Sequence, residues 1–271
     1  MRAPNTRRPT MTTPDAWSPA QYERFKAQRS QPFADLLARL PSCAGRVGLD
    51  LGCGTGELTR IAHDRLGLQR TLGVDRSAAM LEQAEAFTGP GLTFERRDIE
   101  SFLLDSPGRF GLVLSNAALQ WLPDHPTLFP RVTSLLGEDG VLAVQIPANH
   151  DHISHVLAAQ LAAEPEFASV IGGWTRQSPV LALERYAELL YGAGLRELDV
   201  WCQVYLHELP SWRAVVEWVK GTLLTAYQER MPAALFERFL ELYTQRLEFF
   251  CEDTSPFLYP FKRFLMVGRQ A

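Results

Sequence analysis

No apolar run in this 271-residue chain approaches the ~18 residues that a membrane-spanning helix needs, so a spanning segment is excluded. Lysine is scarce: of 27 basic residues only Lys26, Lys220 and Lys262 are lysines, a bias that reads as genome composition rather than function. The chain also lacks basic surplus. A net charge of −4 argues against binding a nucleic-acid duplex, which calls for a basic face. Cysteine is limited to Cys43, Cys53, Cys202 and Cys251, with no C-x-x-C pair and no secretory leader, the pattern of reduced thiols in a cytoplasmic protein. The first twelve residues contain no acid and little that is apolar, so they lack the amphipathic face of a transit peptide. Residues 1–16 are therefore expected to form a disordered leader, with Met11 as an alternative start. What remains is ordinary for a globular protein, with 46% hydrophobic, 10% aromatic and 21% charged residues. The length suits one large domain, or one domain with a cap.

From residue 47 short apolar runs alternate with helical stretches. Strands are expected over 47–51, 71–75, 92–96, 110–115 and 140–146, with helices over 57–66, 77–87 and 126–136. Alternation at intervals of ~25 residues implies right-handed β-α-β crossovers and a doubly wound parallel sheet, an α/β fold. After Pro147 the pattern changes. Helices are expected over 153–163 and 178–192, a strand over 195–206, an aromatic-rich helical stretch over 211–250 broken at Pro232, and a last strand over 257–267. The helical pieces at about 151–178 and 211–250 are too short to be a domain and read as a lid over the sheet. The expected organisation is a leader over 1–16, a leading helix and cofactor-binding core over 17–150, and the remaining strands with the lid over 151–271.

The chemistry concentrates in Asp50-Leu51-Gly52-Cys53-Gly54-Thr55-Gly56-Glu57, between the first strand and the first helix. Glycines let the backbone turn sharply and approach a ligand without a Cβ clash. A dehydrogenase fingerprint, G-x-G-x-x-G, would place its third glycine at 57, where this chain has Glu57. Asp50 and Glu57 would repel a pyrophosphate, whereas the ammonium of an amino-acid moiety would be welcomed by a carboxylate. The loop therefore favours S-adenosylmethionine over a nicotinamide dinucleotide. Asp75, at the end of the second strand, suits both ribose hydroxyls. Asp98 and Ile99 suit the adenine edge, and Met80 its face. A solvated turn explains any one of these acids, but three at successive strand ends point to a cofactor.

Other motifs weigh less. Tyr22-x-x-x-Lys26 has the spacing of short-chain dehydrogenases but precedes the glycine loop, so an amphipathic helix with Tyr22 and Phe25 facing inward is the better reading. His150, His152 and His155 have a zinc-like spacing but no evident fourth ligand, and no metal is expected. The nucleophile elbow G-x-S-x-G does not occur.

The loop from Asp50 to Gly56 resembles the first motif of class I S-adenosylmethionine-dependent methyltransferases. Ser115-Asn-Ala-Ala-Leu-Gln-Trp-Leu-Pro-Asp-His125 resembles the segment after the fourth strand of trans-aconitate 2-methyltransferases. The start, Trp17-Ser-Pro-x-x-Tyr22-x-x-Phe25-x-x-x-Arg29-x-x-Pro32, is similar to theirs, as are Val144-Gln-Ile-Pro147 and Phe261-Lys-Arg-Phe264. The likeness spans nearly the whole chain, from about Trp17 to Arg269. It implies a Rossmann-like sheet of seven strands in the order 3-2-1-4-5-7-6, the last strand antiparallel. It further implies cofactor contacts at Tyr22, Arg29, Gly52, Asp75, Met80, Asp98, Ile99 and Asn116, with Arg29 on the methionine carboxylate. Asp50 and Gly54 join them from the loop itself. One departure stands out. After Trp218-Val-Lys-Gly-Thr222 the family's Leu-Arg-Pro is expected, and this chain has Thr225-Ala226 after Leu224, without the arginine.

The expected activity is esterification of a carboxylate of a small polycarboxylic acid, with no general base. Arg176, Lys220 and Arg263 are the candidate cationic anchors, with His150 and His207 as hydrogen-bond donors. The alternatives are O- or C-methylation of a natural-product or quinone-like acceptor, suited by Trp174, Trp212, Trp218 and Tyr227, and a cofactor-binding protein without catalysis. No nucleic-acid or membrane partner is expected, and the chain is expected to be a monomer or weak dimer.

Overall fold

A computed structural model describes residues 26–105 and 108–271, with side chains from Ser30 onward. The expected leader, the Trp17 motif, Tyr22 and the Arg29 side chain lie outside what is described. Seven strands form one sheet: β1 (Val47–Leu51), β2 (Arg70–Asp75), β3 (Leu92–Arg96), β4 (Phe110–Asn116), β5 (Leu136–Pro147), β6 (Leu195–Leu209) and β7 (Phe257–Gln270). Their order is β3-β2-β1-β4-β5-β7-β6. Strands β1 to β5 are parallel, and β7 runs antiparallel between β5 and β6.

Side-chain alternation assigns the two faces. Leu112 and Leu114 of β4, Val141 and Ala143 of β5, and Leu265 and Val267 of β7 pack under Phe33, Leu36 and Leu37 of helix α1 (Lys26–Ala38) and Ala62 of α2 (Glu57–Arg65). Val113, Leu142, Val144 and Met266 point the other way. They meet α4 (Ile99–Asp105), α5 (His125–Thr133) and α8 (Leu183–Gly192); α3 (Ala78–Ala84) follows β2 on the way to β3. Strands buried on both faces read as continuous apolar runs, which is why β4 and β5 stand out in the sequence.

The last pair between β5 and β7 is Pro147 with Arg263. Beyond it β6 and β7 continue alone as a ribbon, from Val204 opposite Lys262 to Leu209 opposite Phe257. The ribbon carries a second core. Leu209, Tyr259 and Phe261 pack there with α6 (Ile153–Ala162), α7 (Pro165–Ile171), α9 (Arg213–Lys220), α10 (Thr225–Gln228) and α11 (Ala233–Phe250).

Several boundaries differ from the sequence reading. β5 begins at Leu136 rather than 140, so the preceding helix ends at Thr133. The helix expected over 178–192 starts at Leu183, and the stretch over 211–250 breaks at 221–224 as well as near Pro232. The helix expected over 77–87 closes as a tight 3₁₀ turn at Glu85–Phe87. None of the helices described is long and apolar enough to cross a membrane.

Candidate functional site

The carboxyl ends of β1, β2 and β4 enclose a cleft with about 1070 Å³ of empty space, mouth included. Asp50, Gly52, Gly54, Asp75, Met80, Asp98, Ile99 and Asn116 all line it. The glycine loop is built around close approaches. Gly52 has φ +80°, and a Cβ there would lie 2.2 Å from the Cβ of Ala118, so only glycine lets the loop after β4 come this near. Gly54 has φ +55° and faces open space, where a ligand can approach the backbone. The N–H groups of Gly52 and Cys53 both donate to the carbonyl of Val74, at 2.9 and 3.0 Å, fastening the loop to β2.

Three carboxylates surround this backbone. Asp75 accepts the Gly54 N–H through Oδ2 and the Ser77 N–H through Oδ1, each at 2.9 Å. Asp98 opens α4, its Oδ1 taking the N–H of Glu100 at 2.9 Å and that of Ser101 at 3.3 Å. Asp50 is 4% exposed and accepts Thr59 Oγ1 at 2.6 Å. Burial pushes its carboxyl up to about 7; the Thr59 bond opposes the rise and the nearby charge of Asp75 adds to it. Burial, then the charges of Asp50 and Asp75, push the Cys53 thiol up and keep it protonated. A cleft with acids at its floor and rim, open glycine backbone and apolar Met80, Ile99 and Leu122 fits a cationic adenosyl amino acid. The rim also carries exposed Arg76.

The far wall is Trp121, which the sequence reading left unassigned. The Arg176 guanidinium sits 4.7 Å from its ring centroid and donates through one nitrogen to the carbonyls of Thr222, at 3.0 Å, and Leu223, at 3.2 Å. The segment that lacks the family's arginine thus receives a guanidinium from another loop. Past Asn116 the sheet continues to Gln145, its partner on β5. Gln145 is fully buried, and its Oε1 accepts Arg263 at 3.3 Å. His207 is buried too, stacked on Trp218 at 5.1 Å. Burial, then Arg263, hold its imidazole down to about 4, so it is neutral at physiological pH.

The other candidates lie apart. Lys220 pairs with Glu217 at 3.3 Å in its own helix, and His150 is exposed. His152 and His155 both bond Ser154 Oγ through Nδ1, at 2.9 and 3.1 Å. Burial first, then His152 and Arg176, drive His155 down to about 3. No group of three or more His, Cys, Asp or Glu among the described residues could hold a metal ion. All four cysteines are free. Of the aromatic residues considered for an aromatic acceptor, Trp212, Trp218 and Tyr227 are buried in the second core, with Trp174 packed against it.

A family profile described as a methyltransferase domain matches residues 49–140. A trans-aconitate 2-methyltransferase of Deinococcus radiodurans is 45% identical over 238 residues, covering 86% of this chain and 90% of that protein. One from Escherichia coli is 35% identical over 256 residues, covering 94% and 98%. The fold matches the YcgJ protein of Bacillus subtilis at a TM-score of 0.58 and 15% identity, over 89% of this chain and 98% of that one. It also matches a Haemonchus contortus phosphoethanolamine N-methyltransferase solved with S-adenosyl-L-methionine, at a TM-score of 0.54 and 18% identity, over 93% and 56%. Relatives this similar over most of their length, on a sheet of this order, carry one conclusion: the chain belongs to the trans-aconitate 2-methyltransferase family of S-adenosylmethionine-dependent methyltransferases.

Proposed function

We propose that the chain methylates a carboxylate of a small polycarboxylic acid of the trans-aconitate class. The observation that supports this most is the Arg176 guanidinium, 4.7 Å from the ring of Trp121, a residue that lines the same cleft as Asp50, Asp75 and Asp98. When bound, S-adenosylmethionine supplies a methyl group on a sulfonium, so transfer to a carboxylate oxygen yields a methyl ester and neutral S-adenosylhomocysteine with no proton to remove.

In this reading the protein aligns the acceptor and excludes water. Asp75 takes the ribose hydroxyls, Asp98 and Ile99 the adenine edge, and Met80 its face. Asp50 faces the ammonium, Gly52 and Gly54 give backbone contact, and Asn116 sits between cofactor and acceptor. Tyr22 and Arg29 close the methionine end, Arg29 on its carboxylate. Arg176, Arg263 and His207 anchor the acid; Lys220, already paired, and exposed His150 are secondary. The histidines near the lid suit binding better than proton removal, since burial holds His155 down to about 3 and His207 to about 4, where an imidazole is a weak base. The four free thiols support a reducing, cytoplasmic setting.

The test is a pH–rate profile at saturating cofactor with trans-aconitate and with a phenol. A carboxylate acceptor is already ionised, so the rate stays flat above about pH 6 and the phenol is a poor acceptor. A steep rise through pH 7–9, or preference for the phenol, would point to a general base and to the natural-product alternative.

A further inference from the structure

We infer that Gln145 is a positioning residue, an amide relay that carries the donor sense of Arg263 to Asn116 and so holds the Asn116 NH₂ toward the acceptor. The choice of acceptor rests on the proposed transfer to a carboxylic acid; the relay adds what sets the hydrogen-bonding sense of the cleft wall.

Two buried atoms of opposite sense are left over. Oδ1 of Asn116, an acceptor, and Nε2 of Gln145, a donor, have no hydrogen-bond partner among the described residues. Their residues are register partners on β4 and β5, parallel strands about 4.8 Å apart, so both side chains lie on one face of the sheet. It is the face that Leu114, Ala143 and Leu265 present to α1. Across the sheet Gln145 is flanked by Asn116 and Leu265, and along its own strand by Ala143 and Pro147 on the same face. Of these four only Asn116 carries a polar side chain. In this structure the two atoms stop short of a hydrogen bond. The terminal torsions of Asn and Gln are broad, so turning the amides toward each other costs little and satisfies both.

Arg263 gives the pair a direction. A guanidinium has no acceptor, so Gln145 turns Oε1 to it, at 3.3 Å, and keeps Nε2 for another partner. Nε2 needs an acceptor, which Asn116 offers as Oδ1 and not as its NH₂. Asn116 is half-buried and lines the cofactor cleft; with Oδ1 buried, Nδ2 is the amide atom left for a ligand. The cleft wall at the end of β4 is thereby a donor. A carboxylate suits it, because the oxygen that does not attack accepts the bond while the other meets the methyl group. A phenol or amine that must lose a proton would need an acceptor at this position.

Two measurements on the full chain test this. A crystal structure with S-adenosylhomocysteine should show Gln145 Nε2 donating to Asn116 Oδ1 at about 2.7–3.2 Å. No direct hydrogen bond between them would overturn the relay. The second measurement is kinetic. Gln145→Glu keeps a partner for Arg263 but offers Asn116 an acceptor, which turns its amide around. kcat/KM for trans-aconitate should fall roughly 10- to 100-fold, the range for a lost donor to a charged group, with S-adenosylmethionine affinity within about threefold. Gln145→Leu leaves the Asn116 amide unset and should lower kcat/KM less, by at least about threefold. In an Asn116→Ala background both substitutions should change kcat/KM by less than about twofold, because the amide they act through is gone. Effects at 145 that persist in full there are those of a structural residue and overturn the relay, as does a Gln145→Glu variant as active as wild type. A Gln145–Asn116 bond in a protein that methylates no polycarboxylate keeps the relay and removes the proposed reaction. Turnover of trans-aconitate without that bond does the reverse.

Discussion

The backbone N–H of Gly54 donates to Asp75 Oδ2 at 2.9 Å, so the carboxylate proposed for the ribose also holds the turn that would face the cofactor. Its other oxygen accepts Ser77 N–H, which leaves about two of its four lone-pair positions for a ligand. Asp75→Ala should weaken S-adenosylmethionine binding by roughly 1.5–3 kcal/mol, the range for a hydrogen bond to a charged group. Calorimetry would check this, and unchanged affinity would remove the ribose assignment.

Gly52→Ala tests the close approach of two loops. The new methyl would meet Ala118 Cβ at 2.2 Å while the backbone sits at φ +80°, so both sterics and conformation oppose it. The expected outcome is a loss of at least ~2 kcal/mol, a fall in Tm of several degrees, and loss of cofactor binding. Gly54→Ala faces open space and should disturb stability less, while still crowding the ligand. Equal melting temperatures for Gly52→Ala and wild type would contradict the packing argument.

Asp50 sets a pH dependence of its own. An aspartate in the unfolded chain titrates near 3.9, and burial raises the folded group to about 7. The fold therefore favours the neutral form. Its stabilising effect is complete below about pH 4 and is lost as pH rises through 7, by up to about 4 kcal/mol. Calorimetric scans from pH 5 to 8 should show a declining Tm in wild type without ligand, and a shallower decline in Asp50→Asn. Cofactor affinity should move the opposite way, rising over the same window, because a bound cation favours the ionised carboxylate. Identical slopes for the two proteins would remove Asp50 as the source.

Chelation gives a simpler test. Because His152 and His155 are tied to Ser154 and His150 is exposed, EDTA should leave both Tm and activity unchanged. Loss of activity restored by zinc would show a metal role for these histidines.

Strand and helix alternation up to β5 was legible, because apolar runs bounded by turn residues have few other readings. The glycine loop was legible for the same local reason. Legibility stops where a choice depends on distant neighbours. Gly137, Glu138, Asp139 and Gly140 look like a turn, yet they extend β5, with Asp139 at φ +57° and its carbonyl accepting Arg46. The break at 221–224 carries only Gly221 as a local signal; its carbonyls are met by Arg176, 46 and 47 residues away in sequence. Thr59 belongs to the site because helix α2 turns it onto Asp50, a pairing nine residues apart that spacing alone does not reveal. Gln145 sits among valines and isoleucine in a buried strand and reads as filler until Arg263 is placed against it.

The ribbon of β6 and β7 beyond Pro147 has a consequence for how such enzymes diversify. His207, helices α9 to α11 and Arg263 all lie within one continuous stretch, residues 204–263, that leaves the sheet and returns to it. The cofactor cleft draws its residues from 50–122. On the proposed assignments the donor cleft and the acid anchors, Arg176 included, come from separate lengths of chain. Exchange of residues 153–263 between relatives, which carries α6 and α7 as well, would change which acid is accepted while the donor cleft stays as it was.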